Sequence, residues 1–403
     1  MSPGHLYAAI YLMEEDTLQD GSITDEALET FRRRVGTKLR ISNIFNELAS
    51  ADAIRKFADG IGDPNPLWRD EEYARSTRYG EMVAPPSWLA SVFPTWVLQG
   101  LPGVHAFQTS TEWEFFLPVM LNDRITPESI FTGFKVINSD FAGRSILERQ
   151  EARYFNQPGE LVGSAKVAGL RAERPATRQK GKYSHIQLPH PWTERELEEI
   201  EAEVLGEEIR GGNTRYWEDV EVGDELPRIV RGPLGLSDII AYCIGASPVQ
   251  IKAHGLALRE YRKHPPWAFR DESTFALEPI YGVHYNKAAA AAAGLPYPYD
   301  TAVQRHCWLM HLLTNWMGDD GWLKKSYARY RNFVYLSDVL WLGGKVARKY
   351  VDESGECCVD IRSTAINQRG EEVMPGISTV ILPSREKGSG PVAQRVKGLP
   401  GIT

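Results

Sequence analysis

Two short segments of the sequence carry side chains that could perform acid–base chemistry. The first, Gly62-Asp-Pro-Asn-Pro-Leu-Trp-Arg-Asp70, places Asp63 and Asn65 beside two prolines, and the second, Val283-His-Tyr-Asn286, contains His284. Carboxylates and imidazoles are the usual general acids and bases of enzymes, so both segments are candidates for proton transfer. Each also has a plainer interpretation, because Asp and Asn form turns by bonding nearby backbone and a half-buried histidine can be purely structural.

The chain repeats itself, which indicates how these segments are positioned. Three pairs of segments recur in the same order, at offsets of 183, 211 and 215 residues: Gly60–Asp63 with Cys243–Ala246, Asn156–Val162 with Asn367–Val373, and Phe116–Asp123 with Arg331–Asp338. Matches in one order predict a duplicated domain. The smaller first offset predicts about 30 additional residues in the second copy, at Ser247–Pro279.

Each copy has the same predicted order of elements: a short amphipathic helix, a loop, an apolar helix and a run of strands. The apolar helix is predicted over Ser87–Gln99 in the first copy, where Pro94 should kink it or end it early, and over Arg305–Met317 in the second. The strands are predicted at 105–116, 129–138, 144–155 and 161–170, and at 325–334, 339–350, 357–367 and 373–382. A buried helix followed by antiparallel strands is typical of the α+β class.

These patterns divide the chain into five predicted parts: an N-terminal helical extension at 1–40, the first copy at 41–172, a linker at 173–213, the second copy at 214–385 and a flexible tail at 386–403. In the extension, Thr24 is the expected N-cap of a helix that buries Leu28, Phe31 and Val35. In the linker, a capping box at Thr193–Glu196 should open a charged helix.

Composition argues against several classes of partner. The formal net charge of -7 argues against a nucleic acid or an anionic membrane. The four cysteines show no zinc spacing and are typical of reduced thiols in a cytoplasmic protein. The N-terminus lacks the basic region of a signal peptide, and no apolar run is long enough to span a membrane. Neither a metal site nor a nucleotide-cofactor motif is found, so we expect no cofactor and a cytoplasmic location.

The segment Gly62–Asp70 resembles the signature of the MaoC-like hydratases and dehydratases, which include the (R)-specific enoyl-CoA hydratases. That signature reads Gly-Asp-x-Asn-Pro-Leu/Ile-His-x-Asp, and the chain matches it except at Trp68, which stands in place of the histidine. The following Met82–Pro86 is similar to the FAS1-like dehydratase domain that forms the N-terminal half of fused members. The resemblance implies an α+β tandem double hotdog, in which each copy wraps an antiparallel sheet around a long central helix.

The second copy retains the other half of the signature. His284 is present there, whereas Ala246 is expected to occupy the position of Asp63. In the family, an Asp and a His hold one water that adds to an enoyl thioester or leaves a 3-hydroxyacyl thioester. A backbone N–H at the start of the central helix stabilises the enolate. The first copy has Pro85-Pro86 at that point, which lack an N–H, but the second has Thr301-Ala302.

The resemblance therefore implies a hydro-lyase for acyl-CoA substrates, with His284 and Asp63 as catalytic residues. It implies substrate contacts for five further residues: Asn65, Trp68, Asn286, Ala302 and Arg305, the last against a coenzyme A phosphate. The carboxylate missing beside His284 would be Glu278, Asp271 or Asp300. Such a protein can function alone, as a homodimer or with a partner hotdog subunit.

Two other functions remain open. The divided signature is compatible with a catalytically silent acyl-CoA-binding subunit that supports an active partner. A thioesterase on the same fold would need a carboxylate on the central helix, and neither predicted helix offers one.

Overall fold

A computed structural model describes residues 20–139, 143–173, 186–248 and 251–388 of the 403 residues. The predicted tail beyond residue 388, the first half of the extension and the linker segment 174–185 lie outside the described residues. Within these ranges, no helix is both long and apolar enough to cross a membrane.

One ten-stranded antiparallel sheet forms the frame of the molecule, and a two-stranded sheet lies beside it. The strands are β1 (Lys38–Leu39), β2 (Val104–Phe115), β3 (Thr126–Ser139), β4 (Gly143–Phe155), β5 (Leu161–Glu173), β6 (Ile229–Arg231), β7 (Ala268–Arg270), β8 (Leu277–Pro279), β9 (Trp322–Arg329), β10 (Leu340–Val351), β11 (Cys357–Asn367) and β12 (Gly376–Ile381). The order across the large sheet is β1-β3-β4-β5-β2-β9-β12-β11-β10-β6. Each copy contributes four long strands in mirrored order.

The two copies are related by a pseudo-twofold axis at the centre of this sheet. Strands β2 and β9 pair there, with Glu112 opposite Tyr327. These two residues are 215 residues apart, which is the offset of the repeat at Phe116–Asp123. The turns after these strands are also equivalent, because Asp123 accepts a hydrogen bond from Met120 N–H (2.8 Å), as Asp338 does from the backbone N–H of Tyr335 (2.9 Å). The predicted duplication and the double hotdog arrangement are confirmed.

The helices are α1 (Asp25–Arg34), α2 (Ala51–Ile61), α3 (Glu71–Ser76), α4 (Leu89–Val92), α5 (Glu194–Leu205), α6 (Leu236–Ala246), α7 (His254–Lys263), α8 (Lys287–Ala292) and α9 (Ala302–Met317). The central helix is long only in the second copy, where α9 buries every side chain from Gln304 to Met317. In the first copy the expected helix Ser87–Gln99 is reduced to a 3-10 turn and α4. Phe93 is extended, because the ring of Pro94 disfavours helical backbone in the residue before it.

The N-terminal extension packs against the sheet of the first copy. Thr24 caps α1 by accepting a hydrogen bond from Ala27 N–H, and Leu28 and Phe31 are buried, as predicted. The prediction that Val35 belongs to this buried face is wrong, since its side chain is 46% exposed. The helix ends at Arg34, and the chain turns away at Gly36, which has a left-handed φ of +81°.

Helices α2 and α6 cross closely and end in equivalent caps. The residues after them, Gly62 and Ser247, both have left-handed backbone. Their separation aligns the two copies here with an offset of 185 residues, so the expected equivalence of Ala246 with Asp63 is wrong by two positions. Pro248 stands opposite Asp63 in this alignment, and the second copy lacks the family aspartate in either case.

The second copy carries an insertion between the end of α6 and its signature segment. This insertion contains α7 and the small antiparallel sheet of β7 and β8. It occupies the predicted interval Ser247–Pro279 and leads directly into the 3-10 turn Ile280–His284. The first copy makes the corresponding connection in four residues, from Gly62 to Asn65.

Candidate active site

The imidazole of His284 is tethered beside the start of the central helix of the second copy. Its Nδ1 lies 2.8 Å from the carbonyl oxygen of Tyr299. Because a carbonyl only accepts hydrogen bonds, we assign the proton to Nδ1 and the lone pair to Nε2. Within the described part of the chain, Nε2 has no hydrogen-bond partner. The half-buried ring is flanked by Tyr281 and Tyr299, with ring centroids 4.6 and 4.7 Å away.

The environment of His284 keeps its ring neutral. Burial lowers the pKa of His284 to about 4, although the hydrogen bonds to the backbone of Tyr299 and Asp300 act in the opposite direction. A histidine with this pKa is unprotonated at neutral pH, so its Nε2 is able to accept a proton.

The first turn of α9 lies next in the chain after the tethering residue. Thr301 is the N-cap, and its hydroxyl accepts a hydrogen bond from Gln304 N–H at 3.2 Å. The N–H groups of Ala302 and Val303 precede the first intrahelical hydrogen bond, as in any helix, and so are available to an oxygen ligand. The structure therefore brings a neutral imidazole and a helix N-terminus to the same end of the second copy.

Two of the three carboxylates expected near His284 are engaged elsewhere. Asp271 accepts hydrogen bonds from Asn286 Nδ2 (2.7 Å) and Ser273, and Asp300 forms a buried double hydrogen bond with Arg305 (2.6 and 2.7 Å). Glu278, on β8, makes no hydrogen bond or ion pair with another described residue. Its charge does help to raise the pKa of Tyr285, the neighbour of His284, after the larger effect of burial.

Two expected substrate contacts are occupied by the protein itself. Arg305 is 2% exposed, and its guanidinium binds Asp300 and the carbonyl oxygens of Asn332 and Val373. Contact with a coenzyme A phosphate is therefore not available to it, because Asp300 and these carbonyls already satisfy the buried cation. Asn286 is the N-cap of α8, where its Oδ1 accepts from Ala289 N–H at 3.1 Å.

The aspartate of the first copy makes no contact with His284 in the described structure. Asp63 is buried, its Oδ1 accepts a hydrogen bond from Asn65 N–H (3.0 Å), and the same oxygen lies 3.5 Å from His311 Nε2 on α9. Its Oδ2 has no partner among the described residues. The two residues assigned to one catalytic pair by the resemblance thus belong to separate sites.

A buried polar cluster surrounds His311, and the sequence analysis did not identify it. Arg231 Nη2 donates to His311 Nδ1 (2.7 Å), and Glu207 from the linker receives hydrogen bonds from Arg231 Nη1 and Asn315 Nδ2, both 2.7 Å. His311 Nε2 lies 2.6 Å from Glu207 Oε1, but its N–H is poorly aligned with that oxygen. The one sequence signal was a polar pair, His311 and Asn315, spaced one helical turn apart on an otherwise apolar helix.

A pocket of about 580 Å³, including its open mouth, lies in the first copy. Asn65 and Trp68 of the signature segment line it, together with Pro85 and Pro86. Across from them, the end of α9 contributes Thr314 and the following loop contributes Asp319. Within the described ranges, no group of three or more His, Cys, Asp and Glu side chains is arranged to hold a metal ion.

Comparisons with known proteins agree with this architecture. Residues 35–165 match the family model of the FAS1-like dehydratase domain region. A UPF0336 protein of Parafrankia sp. (strain EAN1pec) is 49% identical over 121 residues, which are 27% of this chain and 74% of that protein. An (R)-specific enoyl-CoA hydratase of Aeromonas caviae is 32% identical over 101 residues, which are 25% of this chain and 72% of that protein.

Solved structures extend the similarity of fold to most of the chain. A MaoC-like dehydratase superposes with a TM-score of 0.62 at 17% identity, covering 87% of this chain and 99% of its own. A conserved hypothetical protein from Mycobacterium tuberculosis, described as a double hotdog fold, gives a TM-score of 0.51 at 10% identity, covering 86% of this chain and 96% of its own. The chain therefore belongs to the MaoC-like hydratase–dehydratase family, with a FAS1-like dehydratase region in the first of its two hotdog repeats.

Proposed function

We propose that this protein is a hydro-lyase that adds water to an enoyl-CoA thioester, or removes it from a 3-hydroxyacyl-CoA, at His284. The observation that carries the proposal is the tether of His284 Nδ1 to the carbonyl of Tyr299. This bond fixes the tautomer in which Nε2 is the base, at the end of the second copy where α9 begins. Family membership supplies the reaction class, and the site supplies a base and a helix N-terminus for it.

The proposed hydration proceeds as follows. Nε2 of His284 accepts a proton from water while the water oxygen bonds to C3 of the enoyl group. The π electrons of the C2–C3 bond move onto the thioester oxygen, and the N–H groups at the start of α9, including that of Ala302, stabilise the resulting enolate. The proton then passes to C2, so that one water is added overall. Dehydration is the same path in reverse.

Glu278 is the carboxylate we assign to orienting the water, because Asp271 and Asp300 already hold protein partners. The reaction needs no cofactor beyond the thioester itself. Association with a second copy or with a partner hotdog subunit stays a prediction, to be measured by light scattering of the purified protein.

A second candidate function is a silent acyl-CoA-binding subunit. One observation favours it: no described carboxylate oxygen lies within 4.0 Å of the His284 ring nitrogens. In that case the protein would bind enoyl-CoA without converting it, and an active partner would supply the chemistry.

The test is a turnover assay with crotonyl-CoA and with bulkier and aromatic enoyl-CoAs, following the loss of absorbance of the conjugated double bond. We expect turnover by the native chain and a loss of at least about 100-fold in kcat/KM for His284→Ala. The matched control is His254→Ala, an exposed histidine at the start of α7. Undiminished turnover by His284→Ala would refute the mechanism, and binding of the whole panel without turnover would select the silent subunit.

A further inference from the structure

The pocket of the first copy has the features of a binding site that does not involve His284. Its walls are largely apolar, and they join the first copy to the second: Leu67, Leu89, Phe115 and Val119 come from the former, and Met317 and Leu323 from the latter. An apolar cavity with a few polar groups is the usual form of a small-molecule site. The proposed reaction uses none of these residues.

Two buried polar groups on this pocket lack partners among the described residues. Trp68 is 3% exposed and its indole N–H makes no hydrogen bond, and Asp319 is 5% exposed with an unpaired Oδ1. A buried donor or acceptor without a partner is costly, and most such groups in proteins are satisfied. One pocket thus presents an unpaired donor and an unpaired acceptor together.

The carboxylate of Asp319 is held in a fixed orientation by the protein. Tyr73 Oη donates a hydrogen bond to its other oxygen, Oδ2, at 2.6 Å. Burial raises the pKa of Asp319, against the effects of Tyr73 and of the nearby Asn65 amide, which is not aligned for a full hydrogen bond. The tether leaves Oδ1 as the oxygen that can receive a ligand.

The two unpaired groups define the head group of the ligand. An ammonium group has no lone pair to accept the Trp68 N–H, and a carboxylate has no proton to donate to Asp319. A hydroxyl group can do both. The neighbouring Pro85 and Pro86 offer no N–H to a developing oxyanion, and Trp68 replaces the family histidine, so the pocket lacks the groups needed for turnover.

We propose that the pocket of the first copy is a second, non-catalytic binding site for an apolar molecule that carries a neutral group able both to donate and to accept a hydrogen bond, an alcohol being the simplest case. The hydroxyl oxygen accepts the N–H of Trp68, and its proton is donated to Oδ1 of Asp319. The apolar remainder lies against the walls of the pocket.

The probe for this site is 1-octanol, titrated into the full-length protein by calorimetry at neutral pH. We expect saturable binding of one molecule per chain, and binding at least tenfold weaker for octylamine and for octanoate. Octanoate or octylamine binding as tightly as 1-octanol would overturn the assignment of the head group, and so would the absence of saturable 1-octanol binding.

Two substitutions test the two hydrogen bonds. Trp68→Phe removes only the N–H, and in Asp319→Asn the Tyr73 hydroxyl retains the amide oxygen, so an NH₂ group replaces the free acceptor. We expect each to weaken 1-octanol binding roughly threefold to tenfold, the effect of one net hydrogen bond. The control is Asp320→Asn, the adjacent carboxylate, which accepts from Thr214 and does not line the pocket. Unchanged affinity in both test variants would refute the proposal.

Two further measurements keep the test decisive. Should a variant fail to fold, the comparison of the three probes on the native chain still decides the head group. His284→Ala should bind 1-octanol like the native chain, so a failure of the hydro-lyase proposal leaves this inference intact, and a failure here leaves the hydro-lyase proposal intact.

Discussion

His311 Nε2 lies 3.5 Å from Asp63 Oδ1 and 2.6 Å from Glu207 Oε1, so one imidazole on α9 touches the signature segment of the first copy and the linker. Arg231 donates to the other ring nitrogen, which makes His311 a neutral ring with its proton on Nε2. The cluster joins three separate parts of the chain in a buried setting. We infer that it stabilises the packing of the linker against both copies.

Replacing Glu207 by Gln should destabilise the protein by roughly 3 kcal/mol, because it leaves the Arg231 guanidinium buried without a counter-charge. Burial acts to raise the pKa of Glu207, but the contacts with His311 and Arg231 outweigh it and lower the pKa to about 2. A lowered carboxylate pKa adds stability that is complete above about pH 4.5 and is lost as the pH falls towards 2. The difference between native and Glu207→Gln unfolding free energies in urea should therefore be constant at neutral pH and shrink in acid.

The control for this substitution is Glu199→Gln on α5, whose ion pair with Arg195 is exposed. We expect it to change stability by less than about 0.5 kcal/mol. Equal effects of the two substitutions would show that the Glu207 cluster contributes nothing beyond an ordinary surface pair.

The acid limb of the pH–rate profile should report the lowered pKa of His284. Burial lowers this pKa to about 4, so the base form of the ring persists well below pH 6.5. We expect kcat/KM for enoyl-CoA hydration to stay level from pH 7 to 5 and to fall about tenfold per pH unit below 4. Circular dichroism at each pH separates this titration from acid unfolding. A midpoint near pH 6.5 would place the base in a solvated environment instead.

Glu278→Gln should lower kcat/KM by about 100-fold if Glu278 orients the attacking water, since a positioned acid–base group contributes about that much. The effect should appear mainly in kcat, because the side chain contacts water rather than the thioester. Glu272→Gln is the control, an exposed carboxylate in the turn between β7 and β8. Full activity of Glu278→Gln would mean that His284 activates water without a carboxylate.

Much of this fold could be predicted because its signals are local. Thr24 and the capping box at Thr193 mark helix starts by bonding backbone two or three residues away. The strands were located from alternation within each segment, and the repeat supplied their pairing partners. Pro94 also acts locally, and its predicted early end of the first central helix is confirmed at Val92.

The polar sites could not be predicted, because their partners are distant in sequence. Tyr73 and Asp319 are 246 residues apart, and His311 meets Glu207 only after the linker has folded onto α9. Arg305 follows a helix start, and its neutralisation by Asp300 requires both groups to turn inward. Motif matching located His284 and Asp63, but only the tertiary structure separates them into two sites.

The crossing of α2 and α6 should tolerate no side chain at Gly245. A Cβ there would lie 2.3 Å from the carbonyl oxygen of Lys56, and a Cβ at Gly60 would lie 2.8 Å from that of Ala241. Backbone atoms cannot rotate aside as a flexible side chain can, so the helices must separate. We expect Gly245→Ala to destabilise by about 1–3 kcal/mol in urea unfolding, despite the gain of up to about 1 kcal/mol in helix propensity.

The matched substitution is Gly255→Ala on α7, where no atom lies within 4 Å of the added Cβ. It should leave stability unchanged or raise it by up to about 1 kcal/mol. A Gly245→Ala variant as stable as Gly255→Ala would show that the crossing can widen at no cost. Because Asp63 follows the C-cap of α2, widening should also move its carboxylate relative to His311, which the chemical shifts of the His311 ring would record.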